Sequence, residues 1–232
     1  MKRRLSRYLL IPGCCILVMT QTCLAGVVVG ATRLVIQESA GHKDVSLRAS
    51  GSGAYLVISR IFEGTSLEEG DKASKAREFT VLPPALLMKG GQMRESRIVV
   101  VPDNGLARDR ETMFYLMVSA IPESSKEKNT VQIAVRTWIK LFYRPASLEG
   151  KLIPPPEIAR DGDDIVMKNA SPFYISLSHL YVQGQPVVSP GDIPPYGEKK
   201  LKGCFALIPC KISWMQAKND NTLNSYELIL ER

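Results

Sequence analysis

Val45-Ser46-Leu47-Arg48-Ala49-Ser50-Gly51-Ser52-Gly53-Ala54-Tyr55-Leu56-Val57-Ile58-Ser59-Arg60-Ile61-Phe62 is the stretch that decides the fold class. Apolar Val45, Leu47 and Ala49 alternate with Ser46, Arg48 and Ser50, the period of two that puts one face of a strand in a core and the other in water. The Gly-Ser-Gly that follows reads as a hairpin turn, and Ala54–Phe62 reads as a second strand. No phosphate cradle is indicated, because no helix follows the glycines.

Working outward, the same short, punctuated pattern recurs in Val27–Ile36, Phe79–Leu82, Arg97–Val101, Met113–Ile121 and Val131–Tyr143, making about seven strands. Pro83-Pro84, Gly90-Gly91, Pro102-Asp103-Asn104-Gly105 and Pro122 separate them. That content predicts one immunoglobulin-like sandwich. The pattern stops at Tyr143-Arg144-Pro145 and a linker is expected around Arg144–Gly150. It resumes in Ile165–Met167, Phe173–Val182, Lys199–Leu201, Phe205–Gln216 and Tyr226–Leu230, which predicts a second, smaller β-sandwich. The expected class is all-β. The expected units are a leader over 1–25, an amino-terminal domain over 26–145 and a carboxy-terminal domain over 146–232.

The leader is read from Lys2, Arg3, Arg4 and Arg7, an apolar stretch centred on Cys14–Met19, and small Cys23 and Ala25 before a cut. Pro12-Gly13 and Thr20-Gln21-Thr22 interrupt the apolar run, leaving less than the roughly 20 residues of a membrane span. Without those residues, 26 basic side chains face 23 acidic ones and the charge falls from +7 to +3. No basic run with interleaved aromatics argues for nucleic acid. Cys14, Cys15 and Cys23 leave with the leader. Cys204 and Cys210 remain, and two cysteines in an exported chain suggest one disulfide. A metal pair is the alternative, but His42 and His179, the only histidines, lie far from both in sequence.

Enzyme constellations find little support. Any Ser-His or Cys-His arrangement would need His42, in a turn, or His179, in a strand-like run, and neither has a nucleophile signature beside it. Asn169-Ala170-Ser171 matches a glycosylation sequon, but Pro172 follows it and the leader fits a bacterial exporter at least as well as a eukaryotic one, so the sequon carries no weight. No cofactor is expected.

Three further segments, Gly30-Ala31-Thr32-Arg33-Leu34-Val35-Ile36, Asp109-Arg110-Glu111-Thr112-Met113-Phe114 and Ile139-Lys140-Leu141-Phe142-Tyr143-Arg144-Pro145, stand in an order and spacing that resemble the periplasmic pilus-assembly chaperones, a PapD-like family. The likeness continues through Pro194-Pro195-Tyr196-Gly197-Glu198 and Asn219-Asp220. It implies two immunoglobulin-like domains set as an L around a cleft. It implies that Arg33 and Lys140 anchor a subunit's C-terminal carboxylate there, since two fixed cations hold an anion through charge-assisted hydrogen bonds. It implies that Val131, Ile133 and Val135 belong to a strand donated to the subunit, and that Glu111, Arg144 and Asp220 form a buried ionic network between the domains. Pilus subunits and an outer-membrane usher are the implied partners, with self-association through the donor strand in the absence of subunit. The short hydrophilic Glu123–Asn129 loop resembles that of members serving rod-forming pili.

Each site residue has an ordinary reading too: Arg33 and Lys140 as solvated strand cations, the aliphatic triplet as core, the network as surface charges. Lys140 is an odd number of residues from Val131, so a bulge intervenes or the anchor and the triplet lie on opposite faces. A secreted fimbrial subunit, adhesin or other immunoglobulin-like binding module is the rival reading. Subunits usually end in an aromatic-tipped strand, whereas this chain ends Tyr226-Glu227-Leu228-Ile229-Leu230-Glu231-Arg232.

Overall fold

A computed structural model describes residues 26–64, 74–103, 105–124, 131–204, 209–219 and 222–231. The leader, Asp220 and most of the Glu123–Asn129 loop lie outside the described residues.

Among the described residues, the first sandwich uses nine strands: β1 Gly26–Val29, β2 Arg33–Gln37, β3 His42–Ser50, β4 Ala54–Phe62, β5 Phe79–Leu82, β6 Ala85–Lys89, β7 Met93–Val100, β8 Thr112–Pro122 and β9 Val135–Arg144. One sheet runs β1-β3-β7-β5 and the other β2-β9-β8-β4-β6. Val45, Leu47, Ala49, Val81 and Ile98 from the first meet Leu34, Ile36, Val57, Leu116 and Leu141 from the second in one core.

Three connections differ from the sequence reading, each because the chain changes sheet. Val27–Ile36 is not one strand: β1 pairs antiparallel with β3, while β2 pairs parallel with β9. The crossing occurs at Gly30, whose N–H donates to the Ser46 carbonyl, and a Cβ there would lie 2.0 Å from the Ser46 hydroxyl. Gly51-Ser52-Gly53 is not a hairpin turn. It carries the chain from β3 in one sheet to β4 in the other, and both strands bury their apolar faces in the same core. Gly90 packs against this arch so closely that a Cβ would lie 2.0 Å from the Gly51 carbonyl oxygen. Pro83-Pro84 ends β5 as expected, but β6 follows at once in the opposite sheet and pairs with β4.

The second unit comprises β10 Glu157–Asp161, β11 Asp164–Lys168, β12 Ile175–Val182, β13 Gln185–Pro186, β14 Asp192–Ile193, β15 Glu198–Lys202, β16 Cys210–Ala217 and β17 Leu223–Leu230. A β10-β11-β15 sheet faces a β13-β12-β16-β17 sheet, with β14 paired to β12. Ile165, Met167, Ile175, Leu177, Ile212 and Trp214 fill its core, and the buried Cys204–Cys210 disulfide closes one end. His179 takes φ 46° where the β12 register with β16 shifts, an exposed bulge position. Asn169, the sequon residue, is 1% exposed. Its Nδ2 donates to the carbonyls of Phe173, Ile193 and Pro194, and its Oδ1 accepts from the Ser171 N–H and hydroxyl. The side chain staples the β11–β12 turn to β14.

Candidate functional site

The cleft face of the second sheet is built in rows by the parallel β2–β9 ladder. Arg33 pairs with Lys140, Val35 with Phe142 and Gln37 with Arg144. On the other side of β9, Lys140 faces Tyr115 and Phe142 faces Met113. The alternate residues of β9, Ile139, Leu141 and Tyr143, fill the sandwich core. Strand period alone therefore sends Arg33, Lys140 and Arg144 to the cleft side. Met113, Tyr115, Phe142, Val35, Trp138 and Tyr174 form a small apolar cluster beneath them, Tyr174 coming from the second unit.

Arg33 is 7% exposed, and its Cζ stands 4.4 Å from the centroid of the Phe142 ring. None of its three guanidinium nitrogens has a hydrogen-bond partner among the described residues. Burial pushes the guanidinium below its ordinary pKa; Glu111 pulls it back, Arg144 lowers it further and Asp192 raises it. A buried cation without hydrogen bonds is costly, since a charge is tolerated in the interior when paired. Arg33 and Arg144 line a cavity of about 540 Å³ together with His42, Lys43 and Asn219, and among the described residues that line it there is no carboxylate. The surroundings suit an anion. The reading of Arg33 as a strand cation facing water does not hold.

Lys140 is not left to solvent either. Its Nζ lies 2.6 Å from Oδ2 of Asp192, the first residue of β14 in the second unit. Burial, and after it the Asp192 charge, raises the phenols of Tyr115 and Tyr174, which places this carboxylate among the aromatic side chains at the cleft base. Asp192 escaped the sequence reading because a two-residue strand leaves no periodic signal.

Arg144 and Glu111 meet as a buried ion pair. Arg144 Nε donates to Glu111 Oε1 at 2.8 Å; Nη2 lies 2.7 Å from the same oxygen but off the hydrogen-bond axis. Glu111 Oε2 accepts from the Tyr174 N–H at 2.8 Å, and the Glu111 N–H donates to the Pro172 carbonyl at 2.9 Å. Arg144 Nη1 donates to Asn219 Oδ1 at 3.0 Å, and its Cζ stands 5.0 Å from the Phe173 ring centroid. These contacts reach from the first unit to the second. Asn219, quoted in the sequence only as part of a motif, is the described partner beside Asp220.

Val131, Ile133 and Val135 are 90%, 73% and 48% exposed. They are not core residues. Only Val135 lies within β9; Val131–Ala134 precede it as irregular chain, shorter than the strand expected from Val131. The Gln132 amide donates back to the Glu123 carbonyl between them. The β8–β9 register runs unbroken from Thr112↔Tyr143 to Ala120↔Val135, so no bulge lies between Val135 and Lys140. The two face opposite sides of the strand, which settles the parity question for this segment. The β2 ladder covers Lys140–Arg144 and stops there.

Comparison with known proteins agrees with this architecture. Residues 26–149 match the model of the pili and flagellar-assembly chaperone family, PapD N-terminal domain. The chain is similar to the chaperone protein FimC of an Escherichia coli O6:H1 strain, 34% identical over 190 residues, covering 77% of this chain and 73% of that protein. It is also similar to the uncharacterized fimbrial chaperone YcbF of E. coli K12, 29% identical and covering 84% of each. Among solved structures, the E. coli chaperone DraB superposes with a TM-score of 0.71 at 27% identity, over 89% of this chain and 99% of that one. The SafB chaperone of Salmonella enterica, solved with the SafA pilin, shares the fold. With a two-sandwich fold, a cationic cleft and a family match over more than half its length, this chain belongs to the pilus-assembly chaperones.

Proposed function

We propose that this chaperone works in the periplasm, binding a pilus subunit by adding the Val131–Val135 segment to it as a β-strand and fixing the subunit's C-terminal carboxylate on Arg33 and Lys140. The observation that carries this reading is the Arg33 guanidinium, buried, without a hydrogen-bond acceptor among the described residues, and in register beside Lys140. A terminal carboxylate supplies two oxygens in the plane a guanidinium fork prefers. Strand addition supplies the rest: ladder bonds along an edge, with alternate side chains in the guest's groove. Three exposed aliphatic side chains placed in such a groove would each contribute about 1.5–3 kcal/mol, before ordering costs. Because Val135 and Lys140 point to opposite faces, the carboxylate and the apolar groove sit on different sides of one strand, and the anchor sets the register of the guest. An outer-membrane usher would receive the loaded complex. Without a subunit, the same apolar segment offers a second copy a strand to pair with.

The test is co-expression with a pilus subunit. The wild-type chaperone should co-purify with it one to one, and Arg33→Ala or Lys140→Ala should abolish recovery. Unchanged recovery in both variants would refute the anchor.

A further inference from the structure

Among the described residues, the cleft base holds three cations and two carboxylates: Arg33, Lys140 and Arg144 against Glu111 and Asp192. Glu111 is committed to Arg144, and Asp192 to Lys140. The Asp192 side chain is only 10% exposed, and its Oδ1 has no hydrogen-bond partner among the described residues. A carboxylate held this way keeps its place through its cation, since a buried charge without a partner is costly.

Resting on the carboxylate-anchor reading, we infer that Asp192 is a resident competitor for Lys140. It holds the ammonium from the second unit when the chaperone stands alone, and contends with the guest's terminal carboxylate for it in the complex. The geometry has a direct consequence. A guest carboxylate reaches Arg33 without displacing any hydrogen-bond partner among the described residues, but reaches Lys140 only by sharing the ammonium with Asp192 or replacing it. Two like charges drawn to one ammonium repel, so the anchor is weaker than its two cations alone would make it. A chaperone that must deliver what it binds gains a built-in return path: Asp192 retakes Lys140 as the guest leaves. β14 is held for this by pairing with β12 and by the Asn169 amide, which bonds the carbonyls of Ile193 and Pro194.

The experiment follows transfer of a co-purified pilus subunit from unlabelled chaperone to an excess of fluorescently labelled wild-type chaperone. Asp192→Asn removes the competing charge and keeps the shape, and transfer should slow about tenfold, as expected when a change at a buried charge pair acts on the off-rate. Asp192→Ser should slow it as well. A variant that merely loosened the domains would release the subunit faster, so unchanged or faster transfer overturns the inference. Lys140→Ala separates the two readings. If it abolishes capture while Asp192→Asn leaves transfer unchanged or faster, the anchor stands and the competitor falls. If Lys140→Ala captures the subunit as well as wild type does, Lys140 is no part of the anchor and the competitor falls; if Arg33→Ala does so too, the whole anchor reading falls.

Discussion

Arg33 is the residue at which stability and the proposed binding of a guest pull in opposite directions. Its guanidinium is desolvated with no hydrogen bond from the described residues in return, although it stacks on Phe142. Arg33→Met keeps the packing volume and removes the charge, so the chaperone alone should be as stable as wild type or more stable by about 1–2 kcal/mol. Denaturant unfolding reads this, and a clear loss of stability would contradict the view that Arg33 is retained for a guest. Tyr143, on the core side of the same ladder, offers a spectroscopic check. Burial first, and then Glu38, which it hydrogen-bonds, push its phenol up to about 12. An unfolded tyrosine titrates near 10. The folded pKa is the higher one, so this group's contribution to stability is complete below pH 10 and is lost as pH rises from there through about 12. Ultraviolet titration should show a late tyrosine that Tyr143→Phe removes.

Among the elements, β9 carries the most meaning and shows how far the sequence could be read. The alternation from Val131 located the strand, and the motif around Lys140 located the cleft, because period two and local motifs are written in consecutive residues. Whether the alternation faces a core is not: Val131 and Ile133 look like core residues in sequence and are exposed because the ladder begins only at Val135. The same limit explains Gly51-Ser52-Gly53, where two strands legible in the sequence are joined by an arch whose residues read equally as a hairpin turn. Hairpins and sheet-crossing arches use the same residues, and only long-range pairing tells them apart. Since the triplet packs on little of its own chain, Val131→Ser, Ile133→Ser and Val135→Ser together should leave the unfolding midpoint within about 0.5 kcal/mol of wild type. Capture of a pilus subunit should nevertheless be lost. A large loss of stability would place the triplet in the fold after all.

At the scale of the molecule, the question is what fixes one sandwich against the other. The sequence named Glu111 and Arg144 through a family likeness, and the structure brings them together; Tyr174 and Asn219 complete the set, and neither is marked by spacing because each lies far along the chain from its partner. Removing one charge from this pair strands the other in a place that is 2% exposed or less. Glu111→Ala should therefore cost about 3–5 kcal/mol, and it also frees the Tyr174 N–H that Glu111 holds. Arg144→Met in the same chain takes away the stranded charge, so the double variant should recover much of that loss in stability. Stability and geometry then part company: the double variant lacks the bonds that span the units, and its radius of gyration in small-angle scattering should exceed that of wild type even as its unfolding midpoint recovers. A double variant as compact as wild type would show that the apolar contact of Phe142 with Tyr174 holds the angle by itself.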